Sequence, residues 1–593
     1  MTIPEKVYRD NMVRYEHALK VVRKQLRLIS MLRVLTFVLM ALSMYVFYPV
    51  AVMMIAPALA GVVLFLVLVV RHNRSRQQKK KLEELLALNH TEVRVLHGDF
   101  KDLPDGSEFT DPLHAYSNDT DLFGPGSFFQ YLNRTGLISG RAKLAAWLTA
   151  NNTERISERQ EAVRELAGKT AFRQEFTATA RMMKGRTPAE EIKKWMERHT
   201  PFVPAAMRWL PAVFTAGSGV LLVLFFTGMV PGIWILLYYV AGLLLTGSRL
   251  RKINALAVHT GRIQDFFLRY RQLLELLEKE SFSAPVLAAL RGHITAPGKN
   301  ASWLLRQLAR AIDAFDQRNN MIMALLGNGF LLWDLRQCYR IEQWILAHRD
   351  KVGQWFDTVS AVDACNSLGN FAFNHPDYVF PEITDREVVL ETKGAVHPLI
   401  PADKAVRNDY TIARENFFII TGANMAGKST FLRTVSLQII MGNGGLPVCA
   451  RSCSYSPVKL VTSMRTVDSL SDEASYFYAE LSRLKYIVNT LQGEEHRYFV
   501  VLDEILKGTN STDKAIGSRK FVEKLVALGA TGIIATHDLS LCEAADVLPQ
   551  VSNYYFDAEI TNDELYFDYR FKKGVCRNMN ASFLLKKMKI VDG

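Results

Sequence analysis

A chain of 593 residues is too long for one ordinary hydrophobic core, so two or more domains are expected. Its net charge of +13 admits nucleic acid or an anionic lipid surface as a partner, and charge alone does not choose between them. Six cysteines do not make a zinc centre: Cys449 and Cys453 lie close together, but no second Cys or His pair completes a set, which leaves reduced, buried thiols in a cytosolic setting.

In chain order, residues 1–30 read as a charged helical lead-in. From Val34 to Val70 there is no Asp, Glu, Lys or Arg, and the run breaks at Tyr48-Pro49. It is roughly twice the ~20 apolar residues that cross a bilayer, and the spacing predicts a transmembrane hairpin over about 30–70. It starts too late, is too long and lacks the cleavage site of a signal peptide. Arg23, Lys24, Arg27 and Arg33 precede it, and Arg71, Arg74, Arg76 and Lys79 to Lys81 follow. Residues 71–92 continue as a basic, then amphipathic, helix, and residues 1–92 form the first unit. Turn formers at Pro104-Asp105-Gly106 and Gly124-Pro125-Gly126 make 93–127 a connector.

Residues 128–386 read as an all-α region, interrupted over about 209–248 by a second uncharged run broken at Gly228 to Gly232. Here too basic residues flank the run: Lys193, Lys194, Arg198 and Arg208 before it, Arg249, Arg251 and Lys252 after it. Four transmembrane helices are expected. The positive-inside rule places the termini and large loops in the cytoplasm of a multi-pass protein of the cell (inner) membrane. Amphipathic helices are expected over 253–290 and 301–326, and two more over 330–372. From about residue 387 to the end, short β-branched runs alternate with helices, the pattern of a mostly parallel sheet covered by helices.

Chemistry concentrates in this last unit. Phe417-Phe-Ile-Ile-Thr-Gly-Ala-Asn-Met-Ala-Gly-Lys-Ser-Thr430 contains G-x-x-x-x-G-K-S after a hydrophobic strand and before a helix, the context of a phosphate-binding loop. Gly422, Ala423, Asn424, Met425, Ala426 and Gly427 are expected to curl backbone N–H groups toward phosphate, with the positive end of the following helix behind them. Lys428 reaches the β and γ phosphates, Ser429 binds Mg²⁺, and Thr430 closes the loop. Downstream, Tyr498-Phe-Val-Val-Leu-Asp-Glu504 ends a buried strand in two acids. Asp503 suits the Mg²⁺ shell and Glu504 the polarisation of water. His537, after the strand Ile533 to Thr536, is placed to contact the γ-phosphate. Catalytic roles therefore fall to Glu504, His537 and Lys428, and ATP with Mg²⁺ is the implied substrate pair.

These segments resemble the MutS family. Ile420 to Thr430, with its Asn424-Met425 pair, is similar to that family's phosphate loop. Asp503-Glu-Ile-Leu-Lys-Gly-Thr509 resembles its second acidic motif and Ala535-Thr-His537 its histidine switch. Ser475-Tyr-Phe-Tyr-Ala-Glu480 resembles the segment whose serine completes the ATP site of the opposite subunit. Asn408-Asp-Tyr410 looks like the segment that holds adenine, and His397-Pro398 like the entry to the domain. Upstream, Tyr131 to Thr135, Gly140, Ala146 to Leu148 and Glu158 to Leu166 resemble the start of the MutS core domain, and residues 330–383 its last helices.

The resemblance implies an α/β P-loop NTPase domain of the ABC/MutS type, 387–593, behind a MutS-core-like helical domain with two membrane hairpins. It also implies a homodimer with shared ATP sites that acts on DNA, or on a protein partner, beside membrane lipid. Departures lie at Ala426, Glu473, Leu506, Lys507 and Lys514, and nothing before residue 128 resembles the family's mismatch-reading domain. The alternative reading is a membrane transport or signalling ATPase of the ABC type without DNA binding; no Leu-Ser-Gly-Gly-Gln segment supports it.

Overall fold

A computed structural model describes residues 2–46, 51–183, 189–295, 298–423, 425–465, 476–493, 497–507, 510–561 and 564–576. Two antiparallel helices open it: α1 (Ile3–Val46) and α2 (Ala51–Leu96), of 44 and 46 residues. At 1.5 Å per residue each is about 65–70 Å long, twice a bilayer's hydrocarbon core. Their outer halves carry the charge-free run with its side chains outward: Phe37, Leu39, Leu59 and Leu66 are all exposed. The inner halves are the amphipathic parts and pack on protein through Tyr8, Leu85 and Leu88.

The base of this hairpin is fixed by a buried polar cluster. Arg134 Nε donates to Glu92 Oε1 at 2.7 Å, with both side chains 5% exposed. Asn370 and Asn374 donate to the other Glu92 oxygen at 3.0 and 2.8 Å, and the Tyr8 hydroxyl donates to Asn374 at 2.6 Å. Burial pushes the Glu92 carboxyl up, but Arg134 and the two amides outweigh it and hold it below the usual glutamate range. The cluster's ionic contribution is therefore present above the ordinary glutamate pKa and lost as pH falls through the lowered one. Replacing Arg134 with Ala strands a buried carboxylate, and a loss of about 3–5 kcal/mol is expected in the denaturant midpoint of the full chain. A loss below about 1 kcal/mol would show that the pair is not buried as described.

The helical region follows as α3 (Phe128–Leu132), α4 (Ile138–Thr149), α5 (Ile156–Gly168), α6 (Thr170–Arg181) and α7 (Ala189–Arg198). The second apolar pair is α8 (Leu210–Phe226) and α9 (Gly232–Gly247), and then come α10 (Leu250–Lys279), α11 (Pro285–Gly292), α12 (Ala301–Asp316), α13 (Asn328–Leu331) and α14 (Trp333–Asn374). Among the described residues two helices, those of the first hairpin, are long and apolar enough to cross a membrane. A third qualifies only if α9 is joined to the start of α10 across a 64° bend. The expected four spanning helices are corrected accordingly. The Gly228–Gly232 turn cuts the second run into helices of 17 and 16 residues, about 25 Å each.

Two further expectations change. The helix expected to continue to residue 326 stops at Asp316, followed by a 3₁₀ turn and a π turn at Met323–Gly327. Over 330–372, one helix of 42 residues stands where two were expected, because α14 is the spine on which α4, α5, α7 and α12 pack.

The chain then enters α/β structure: β1 (Glu382–Ile383), β2 (Val388–Ala395), β3 (Asn408–Ala413), β4 (Phe417–Gly422), α15 (Lys428–Asn443), β5 (Ser452–Tyr455), β6 (Lys459–Ser463), α16 (Tyr476–Leu491) and β7 (Tyr498–Asp503). It ends in α17 (Ser511–Ala527), β8 (Thr531–Ala535), α18 (Ala544–Val547), β9 (Val551–Phe556), β10 (Ala558–Thr561), β11 (Glu564–Phe567) and β12 (Lys572–Lys573). A six-stranded sheet in the order β12-β9-β4-β8-β7-β6 is parallel except for β12, and a smaller sheet, β1-β5-β2-β3, flanks it. Strands β4 and β8 are buried along their whole length, which is why they read as unbroken apolar runs. Phe418 and Ile420 face α15, while Phe417 and Ile419 face the core shared with α17.

Candidate functional site

The carboxyl ends of β4, β7 and β8 meet at one mouth, where open parallel sheets place their ligands. The loop after β4 turns sharply at Gly422, with φ 148°; a Cβ there would stand 2.6 Å from the Phe556 carbonyl, so only glycine lets β9 pass so close. Gly427, with φ 104°, then starts α15. The mouth is a cavity of about 760 Å³, with room for a nucleotide. Its polar end is lined by Lys428, Ser429, Asp503, Glu504, Lys507 and His537.

Lys428 is 5% exposed and donates to the carbonyls of Gly422 at 2.8 Å and Ala423 at 3.0 Å. Burial lowers its pKa, opposed by Glu504 and Asp503 nearby. Ser429 Oγ donates to Asp503 Oδ2 at 2.7 Å. Burial raises the Asp503 carboxyl, opposed by that hydrogen bond. His537 Nε2 lies 3.0 Å from Glu504 Oε1 and 3.1 Å from Lys428 Nζ. One ring nitrogen cannot donate to the acid and accept from the ammonium at once, and the carboxylate is the stronger partner. That hydrogen bond first, against burial, holds Glu504 down to about 2, so it is ionised at every working pH.

The sequence-expected residues divide plainly. Met425, Gly427, Lys428, Ser429, Thr430, Asp503, Glu504, His537 and Asn408 line one cavity. Ala423 supplies a carbonyl to Lys428, and Ala426 is buried beneath the loop. Asn424 and Ser475 lie outside the described residues. The two residues expected at the base differ in where they stand: Asn408 lines the cavity and Tyr410 does not. Both ends of the Asn408 amide are spent on the segment after β11: Nδ2 donates to the Tyr569 carbonyl at 3.0 Å and Oδ1 accepts from Phe571 N at 2.8 Å. Tyr410 is not in the lining; it is buried, bonded to Gln438 and packed edge-on against Phe431. Ile400, Val406, Phe431, Phe556 and Tyr569 supply apolar lining to the same cavity. His397 also lines it, its pKa pushed down to about 4 by burial, which leaves a neutral ring.

One supporting residue carried no expectation. Glu480 on α16 accepts the amide of Leu506 at 2.6 Å and that of Lys507 at 3.0 Å. Leu506 sits at φ 60°, a left-handed conformation that costs a branched residue roughly 1–2 kcal/mol, so the carboxylate holds a strained turn beside Glu504. Replacing Glu480 with Ala leaves two amides without a partner. A stability loss of about 2–3 kcal/mol is expected together with slower turnover, measured by denaturant melts and phosphate release. Unchanged turnover in the folded variant would remove this role.

The mouth is tied to the rest of the chain. In the connector, Asp119 accepts from Thr462 Oγ1 at 2.6 Å and from the amides of Met464 and Arg465. Arg483 of α16 donates to the carbonyls of His114 and Ala115. On the helical side, Arg159 of α5 donates to the Asn443 carbonyl at the end of α15 at 2.8 Å.

Comparison with known proteins agrees with this geometry. Residues 418–590 match MutS domain V. MutS protein homolog 4 of Homo sapiens is 34% identical over 236 residues, 38% of this chain and 24% of that protein. DNA mismatch repair protein MutS of Fusobacterium nucleatum is 32% identical over 238 residues, 39% of this chain and 26% of the relative. That of Chlamydia muridarum is 30% identical over 241 residues, 39% and 29%. The match spans only about a quarter of these relatives' length. The C-terminal part of the chain is a MutS domain V, an ATPase domain.

Proposed function

We propose that the chain is a membrane-held MutS-like ATPase whose nucleotide cycle, run between two copies of the chain, moves the helical region against DNA beside the membrane. The observation that carries the reading is the meeting of Lys428, Ser429, Asp503, Glu504 and His537 in one nucleotide-sized cavity at the ends of three parallel strands. A phosphate oxygen competes with the Gly422 and Ala423 carbonyls for the Lys428 ammonium, and a doubly charged phosphate wins that competition. Ser429 and Asp503 offer two oxygens 2.7 Å apart, a donor set that fits Mg²⁺, which when bound neutralises charge on the β and γ phosphates. Glu504 polarises water, and His537 holds it in place while facing the γ position.

Movement has a physical route in this reading. A shift of α15 with bound phosphate is felt at Asn443 and hence at Arg159 of α5, which packs on the α14 spine. DNA enters the proposal from the names of the relatives, which are mismatch repair proteins, and from a basic chain. Its test is binding of homoduplex, mismatched and branched DNA by the reconstituted protein across a salt series. Phosphate contacts give a steep fall of affinity with salt. No binding at low salt would remove DNA and leave a protein partner.

Membrane attachment is supported by the outward apolar surface of α1 and α2 and by the basic residues that flank it. A single cysteine placed beside Pro49, between the two long apolar helices, is expected to react with a membrane-impermeant thiol reagent from outside intact cells. One placed at residue 300 is not expected to react. Labelling of residue 300 and not of the Pro49 position would reverse the orientation.

A further inference from the structure

A second apolar surface lies beside the α8–α9 pair. Between Arg318 and Asp334 runs an uncharged stretch, Asn319 to Trp333. Its neck is closed by the ion pair of those two residues at 3.1 Å, and Arg318 also donates to Asn254 at 2.8 Å. The loop beyond that polar neck is apolar and turned outward: Met321 is 74% exposed, Ile322 63%, Leu325 47% and Leu326 51%. Four large apolar side chains in six residues, Met321 and Ile322 leading into the π turn that holds Leu325 and Leu326, form a patch that water does not favour.

The loop does not stand alone. Ser218 Oγ of α8 donates to the Phe330 carbonyl at 2.7 Å. The Tyr239 ring of α9 lies 5.1 Å from that of Phe330. Gly242 of α9 passes so close that a Cβ would stand 2.4 Å from the Gly329 carbonyl oxygen, the small-residue contact by which helices approach inside membranes. The irregular turn also meets its own polar needs: Asn328 donates to the Ala324 carbonyl and accepts from Asp334 N, and the Trp333 indole donates to the Ala314 carbonyl. Irregular backbone survives at membrane depth only where it is buried in protein, and here Asn328 and Gly329 are buried against α9.

Depth follows from helix rise. Ser218 lies about 12 Å along α8 from Leu210, and Gly242 about 9 Å along α9 from Ser248. Arg208 precedes the first of those ends, and Arg249, Arg251 and Lys252 follow the second, so these ends share one basic level. The loop is thus attached within one leaflet's thickness, about 15 Å, of that level.

We infer that Asn319–Trp333 is a re-entrant apolar wedge whose occupant is the acyl-chain region of the cytoplasmic leaflet, docked beside α8 and α9 and bounded by anionic headgroups at the basic level. The inference rests on the membrane reading proposed above. With α8 and α9 too short to cross comfortably, the wedge makes the second apolar element a one-leaflet anchor that joins α12 to α14, so the spine helix starts at the bilayer surface.

The test uses the full chain in vesicles of phosphatidylcholine and phosphatidylglycerol. Spin labels are placed at Ile322→Cys and Leu325→Cys, with Phe37→Cys on α1 as the lipid reference and Ile516→Cys on α17 as the water reference. The six native cysteines are buried. The ratio of oxygen to nickel-chelate collision is expected to be several-fold higher at 322 and 325 than at 516, and to approach that at 37. Values at 322 and 325 equal to 516, with 37 rich in oxygen, overturn the wedge and leave the membrane reading standing. If 37 also resembles 516, both fall. Close spin–spin coupling between copies at 325 would assign the patch to self-association instead. In the unaltered chain, a phospholipid with a photoactivatable acyl chain is expected to mark 319–333; adducts confined to α1 and α2 overturn the inference.

Discussion

Glu504→Gln stops steady-state turnover, by about 10²–10⁴-fold for loss of a general base, and leaves ATP affinity within a few-fold of the native value. The substitution keeps the shape of the side chain, and Asp503 and Ser429 remain to hold the metal and phosphate. It removes the negative charge that His537 stabilises at 3.0 Å. Because that hydrogen bond depresses the carboxyl to about 2, the acid–base pair contributes stability above the ordinary glutamate pKa and loses it only as pH falls toward 2. Turnover is therefore not expected to show a Glu504 titration between about pH 5 and 9. Binding is measured by equilibrium titration and turnover by phosphate release. Equal turnover in the two proteins would remove Glu504 from the reaction.

A mixture of two inactive variants regains activity. Lys428→Ala disables the site of its own chain, and Ser475→Arg disables the site of its neighbour if that serine acts across the interface. In a mixed dimer one composite site then collects both lesions and the other collects neither, so half of the sites are intact. Lys428, Ser429, Asp503 and Glu504 come from one chain and surround the polar end of the cavity from one side. A hydroxyl from a second chain would close the other side and stabilise charge in the transition state. Attachment to a membrane raises the effective concentration of the two halves. Absence of rescue in a verified mixed dimer, under conditions where each variant binds its partner, contradicts shared sites.

The phosphate end was legible because its chemistry fixes spacing. A loop of set length must curl under phosphate, with a lysine and a hydroxyl at the start of the next helix, and two acids must end a neighbouring strand. The base end was not. Tyr569 and Phe571 arrive from the far end of the domain and become neighbours of Asn408 only after β12 pairs with β9. Asn408 lines the cavity while its amide bonds the backbone of that segment at both ends. Glu480 gave no signal either, since its partners are amides of a turn that sequence does not show to be strained. In the helical region, hydropathy located the apolar runs and the break at Gly228 to Gly232, but not that the second pair would be helices of only 17 and 16 residues. The uncharged run 319–333 passed as the end of an amphipathic helix because it is shorter than a span. The two helices expected over 330–372 are one because α14 is held on several sides by other helices, and packing overrides local preference.

The central claim is that this chain hydrolyses ATP in the cavity at the ends of β4, β7 and β8. The most direct measurement is phosphate release by the full chain in vesicles, with and without Mg²⁺, beside Lys428→Ala in the same vesicles. Turnover that requires Mg²⁺ and disappears in Lys428→Ala, together with a large loss of ATP affinity, is the expected result. Turnover retained in Lys428→Ala, or an absence of turnover in the native chain when ATP and Mg²⁺ are bound, would contradict it.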